Sequence, residues 1–60
     1  MHLKVKHLKT GNHYYILNNN VINATNENDG KKMILYYSYQ TDQHYVREEK
    51  EFFEKFEVVV

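Results

Sequence analysis

Cysteine is absent from this chain, which excludes disulfides, cysteine-held metals and thiol catalysis. Proline and tryptophan are absent too, and the two glycines, Gly11 and Gly30, both stand where turns are expected. No apolar run is long enough to read as a membrane-spanning helix, so no membrane association is expected. The opening stretch from Met1 to Thr10 carries Lys4, Lys6 and Lys9 but no apolar core of a secretory signal, so a cytoplasmic location is expected. An excess of one charge is also missing. Eight basic residues balance eight acidic ones, which argues against a general nucleic-acid or membrane-surface binder. With 60 residues the expectation is one domain spanning 1–60, too small for a deep, many-walled active site. Neither an enzyme nor a bound cofactor is expected.

Apolar and aromatic residues are present in sufficient number. Val, Ile, Leu and Phe together make up 16 of 60 residues, above the range of disordered chains. Six tyrosines and seven asparagines are many for this length. Both residue types have AT-rich codons, so a gene from an AT-rich bacterial or viral genome accounts for part of the bias. A tyrosine-rich contact surface accounts for it as well, because tyrosine joins a large apolar body to a polar tip. Charge is uneven: Met1 to Asn20 holds three lysines and no acid, whereas Arg47 to Val60 holds five glutamates.

Periodicity along the chain is mostly that of strands. From Leu3 to Leu8 the pattern alternates, with Leu3, Val5 and His7 on one face. Thr10-Gly11-Asn12 is a turn signal, and His13 to Leu17 reads as a second strand. Asn18-Asn19-Asn20 predicts a tight turn or a bulge, after which Val21 to Thr25 is extended again. Asn26 to Gly30 is the strongest turn. Lys32 to Tyr39 is the best strand, with Met33, Leu35, Tyr37 and Tyr39 on one face and Ile34, Tyr36 and Ser38 on the other. After a polar turn, His44 to Arg47 is a short strand. The tail is ambiguous. Lys50/Glu54 and Glu51/Lys55 suit a helix, while Val58-Val59-Val60 suits a strand. About one helical turn near Glu48–Phe52 followed by a strand is expected. The predicted fold is all-β: a meander of five or six antiparallel strands curled into a small barrel or roll. Its expected core is Val5, Tyr14, Ile16, Val21, Ile34, Tyr36, Val46, Phe52, Phe56 and Val58.

Three blocks carry a family resemblance. Gly11-Asn12-His13-Tyr14-Tyr15-Ile16-Leu17 resembles a G-N-x-Y-x-V-L block. The stretch from Ala24 to Tyr36 resembles A-x-H-S-E-T-x-E-x-L-V-V-Y, and Val46-Arg47 followed by Phe52 resembles W-V-R-P-x-x-M-F. In this order and near spacing, over roughly Lys6 to Val58, they resemble the small bacterial family named domain of unknown function 1653. The resemblance implies an SH3-like barrel and no established activity. Departures are an extra Thr10, Asn26-Glu27-Asn28-Asp29 where the family has H-S-E-T, Tyr45 for its Trp, and Glu48 for its Pro.

Each candidate site also has a plain structural role. The carboxylates and amides of Asn26 to Gly30 could hold a cation, but they lack the alternating ligand pattern and read better as a solvated turn. His2, His7, His13 and His44 lack the spacing of paired ligands on one element. Ser38, Asp42 and His44 are near in sequence, but no glycines of a nucleophile elbow flank the serine. Lys4, Lys6 and Lys9 read better as guards of an edge strand than as phosphate contacts. The tyrosines are the most informative set, because a barrel this small cannot hide all six. Tyr15, Tyr37, Tyr39 and Tyr45, with Arg47 beside them, form the expected binding surface. The expected function is a non-enzymatic module that binds a protein partner. One alternative is a small inhibitor, encoded by a phage or mobile element, of a host enzyme or defence factor. A second is a weak RNA or nucleotide binder. A homodimer joining strands or tyrosine faces is a further expected assembly.

Overall fold

A computed structural model describes residues 3–25 and 30–59. Five strands and one short helix follow one another along the chain: β1 (Leu3–His7), β2 (His13–Ile22), β3 (Lys32–Ser38), β4 (Gln43–Glu48), α1 (Glu49–Lys55) and β5 (Phe56–Val58). All ladders are antiparallel, and the strand order is β4-β3-β2-β1-β5. The expectation of an all-β fold of five or six antiparallel strands is met with five. β4 and β5 stand at the two ends of the order, and no ladder joins them among the described residues. No helix among those residues is long and apolar enough to cross a membrane.

Local chemistry explains the elements. Gly11, at φ 77°, adopts the left-handed backbone that the turn after β1 requires, and its N–H donates to the carbonyl of His7. Gly30, at φ 86°, does the same ahead of β3, where its N–H donates to the carbonyl of Asn23. The expected break at Asn18–Asn20 is a bulge. β2 runs through it unbroken, with register shifts against β3 between Ile16 and Asn18 and again between Asn18 and Val21. The Asn18 side chain accepts a bond from the Asn20 N–H at 2.7 Å, an asparagine turn that lets the strand bend without reversing.

The helix is longer than the single turn expected from the sequence. It spans seven residues, with Glu49 and Glu51 in the first turn and Lys55 in the last. That placement complements the helix dipole, and β-branched valines begin only after Phe56. β5 is correspondingly short.

The core lies on one face of the sheet under α1. It consists of Val5, Ile16, Ile34, Tyr36, Phe52 and Phe56, with Tyr14 packed against it. Three expected members stand outside it, and the first, Val21, is only half-buried. Val46 is 57% exposed, because it pairs with Leu35 on the opposite face from Ile34 and Tyr36. Val58 pairs with buried Val5 but belongs to an end strand with no further neighbour, and is 46% exposed. β1 is not the edge strand expected from its lysines; β2 and β5 flank it. The Asn26–Asp29 turn, its suggested cation site and His2 lie outside the described residues.

Candidate functional site

Strand alternation divides the tyrosines between two faces. On the core face Tyr36 is the hub. Its ring meets Tyr14 at 5.5 Å, Phe52 at 5.1 Å and Phe56 at 5.2 Å in tilted or edge-on geometry, and stacks on Tyr45 at 5.4 Å. Beside it a recess of about 200 Å³ is lined by residues that include His7, Tyr14, Tyr45, Arg47 and Phe56. Arg47 is held there by three contacts. Its Nε donates to the Tyr36 hydroxyl at 3.2 Å, one terminal nitrogen bonds Glu51, and its guanidinium carbon lies 5.7 Å from the Phe56 ring centre. The bond to Tyr36 raises the guanidinium further above its ordinary value, partial burial opposes that, and Glu51 adds to it. A cation already tied to a phenol and a carboxylate leaves this recess little free charge for a ligand.

The other face carries the second group. Tyr15 of β2 stands opposite Tyr37 of β3, and Tyr39 follows just beyond the strand end. Tyr39 bridges the other two, 5.1 Å from Tyr15 and 5.2 Å from Tyr37, both edge-on. His44, opposite Tyr37 on β4, lies 5.0 Å from that ring. The Tyr37 hydroxyl donates to Asp42 at 2.6 Å. This bond and the adjacent negative charge raise the phenol above its ordinary value. Tyr39 is 71% exposed, and Val46 lies exposed near the same cluster. Tyr15, Tyr37 and Tyr39 therefore form one continuous patch of rings away from the core.

Of the five residues expected to form one binding surface, three meet: Tyr15, Tyr37 and Tyr39. Tyr45 and Arg47 are on the opposite face, because their register partners are Tyr36 and Ile34. His44 and Asp42 belong to the ring patch, although the sequence suggested them only as metal or catalytic groups. The signal for His44 was only partial in the sequence: a turn at Gln40–Gln43 would set it opposite Tyr39, whereas the hairpin turns at Tyr39–Asp42 and sets it opposite Tyr37. Asp42 was not readable, since its place depends on a backbone at φ 53°. Ser38 and His44 are kept apart, for Ser38 is buried on the core side and His44 is exposed on the other. Among the described residues no three His, Asp or Glu side chains gather closely enough to hold a metal ion. Compared with family models, curated proteins and solved structures, the chain matches none.

Proposed function

We propose that this chain is a non-enzymatic binding module whose ring patch of Tyr15, Tyr37 and Tyr39 grips a protein partner. The single observation that carries the reading is the continuity of these three rings on a face that covers no core. Tyrosine suits such a role: it offers a wide, stiff contact area at little entropic cost and a hydroxyl for hydrogen bonding. Val46 and Leu35 extend the face with apolar surface.

A protein is favoured over RNA by charge. Stacked bases would use the same rings, and Lys4 lies opposite Tyr15 in the β1–β2 register. Yet Lys6 is 3.4 Å from Glu57, and Asp42 sits on Tyr37 itself. A strand of phosphates would meet two carboxylates at this face.

The test is affinity capture with the wild type and with the double variant Tyr37→Ala/Tyr39→Ala. Circular dichroism checks that the variant keeps its fold. The reading expects a stoichiometric protein that the wild type retains and the variant loses. Equal retention by both moves the site elsewhere. A captured enzyme that loses activity when the module is added makes the module an inhibitor. Capture abolished by ribonuclease makes the ligand RNA.

A further inference from the structure

We propose that the free edge of β4 pairs antiparallel with β4 of a second copy, in a register centred on Val46. This goes beyond the ring patch and does not depend on what that patch holds. β4 is an end strand of six residues, and its ladder with β3 runs without a register shift over its whole length. Besides that ladder, no backbone hydrogen bond involves Gln43–Arg47 among the described residues; Glu48, at the far end, is the N-cap residue of α1. Proteins ordinarily blunt such an edge with proline, lysine, a bulge or a very short strand. β4 has none of these, and its one cation, Arg47, is drawn over the core face by Tyr36 and Glu51. The opposite edge is blunted, because β5 has only three residues.

Symmetry and charge select the occupant and the register. Two identical strands that pair antiparallel are related by a two-fold axis normal to the sheet, so one residue must face itself. Centring on Tyr45 sets Asp42 against Glu48 of the second copy, like against like. Centring on Arg47 sets two guanidinium groups face to face. Centring on Val46 sets His44 against Glu48 of the second copy, Tyr45 against its Arg47, and two exposed valines at the axis. Of these three registers, only this one sets no like charges opposite each other. The same axis leaves both ring patches on one side of a continuous ten-stranded sheet, twice the five strands of one copy.

Sedimentation equilibrium of the purified chain over a wide concentration range tests this, with circular dichroism to confirm that each variant is folded. A reversible dimer is expected for the wild type. Val46→Lys places two ammonium groups at the axis and should weaken the dimer about tenfold or more. His44→Glu should weaken it similarly, and His44→Glu/Glu48→Lys should restore it by exchanging the charges. A wild type that stays at 7.3 kDa overturns the proposal, taken up to about 1 mM. So does a dimer indifferent to Val46→Lys. So does a double exchange that leaves the dimer as weak as His44→Glu alone.

Discussion

The bond from Tyr37 to Asp42 ties a residue of β3 to the turn that follows it. Ionising the phenol would set a phenolate beside a carboxylate, so the folded state holds the proton more tightly than the unfolded chain does. The stabilisation is present in full below the ordinary phenol value of 10.0 and is lost as the pH climbs through the raised folded-state value. Ultraviolet absorbance titration should therefore show one phenol ionising late. Asp42→Asn should bring that step down toward the ordinary value; an unchanged profile would show that Asp42 does not hold the proton. None of this was legible in the sequence. Alternation predicts which face Tyr37 occupies, but the carboxylate arrives through a turn residue with positive φ, which no period encodes. The division of Tyr45 and Arg47 from the other candidates was legible in principle, because register partners share a face.

At the scale of the element, the helix and the bulge show where local signals compete. The charges at Lys50/Glu54 and Glu51/Lys55 favoured a helix, and the valines favoured a strand. Both are satisfied, with the border at Phe56, because Phe52 in the helix and Phe56 at the start of β5 stack at 4.3 Å. The Asn18–Asn20 run signalled irregularity and could not say which kind. Pairing with β3 on both sides of the run decides it, since a reversal would forfeit the ladder beyond Asn18. The helix also begins without a side-chain cap: Glu48 holds the capping position and makes no such bond. Its carboxylate lies 3.7 Å from Lys31 in an exposed ion pair. Glu48→Asp keeps the charge and shortens the side chain to cap length. A gain of about 0.5–1 kcal/mol in urea denaturation is expected. No gain would mean that the extended backbone at Glu48 cannot present the shorter carboxylate to the first turn.

The whole molecule depends on a small set of buried side chains. Phe52 is fully buried beneath Tyr36 and beside Phe56. For 60 residues the expected total stability is about 3–9 kcal/mol. Removing a buried phenylalanine ring costs about 3–5 kcal/mol. Phe52→Ala should therefore leave the chain largely unfolded by circular dichroism, while Phe52→Leu, costing about 1–2 kcal/mol, should fold with a lowered urea midpoint. A Phe52→Ala chain as stable as the wild type would place the core elsewhere. The sequence made most of this core readable, because Val5, Ile16, Ile34 and Tyr36 alternate as strand residues should. Val46 and Val58 lie outside it for different reasons: Val46 is on the face opposite the core, and Val58 has no strand on its far flank. Burial of a strand residue requires the right face and neighbours on both flanks, and pairing order is not written in any single strand.

That pairing order constrains the sequence of events during synthesis. β1–β2, β2–β3 and β3–β4 are successive hairpins, so they can form as they leave the ribosome. The second flank of β1 and the stacked phenylalanines all come from residues 52–58, which emerge after everything they must cover. Until then the nascent sheet has no lid, and its inner rings face water. Residues 52–58, made after the strands they cover, turn a row of hairpins into a globule.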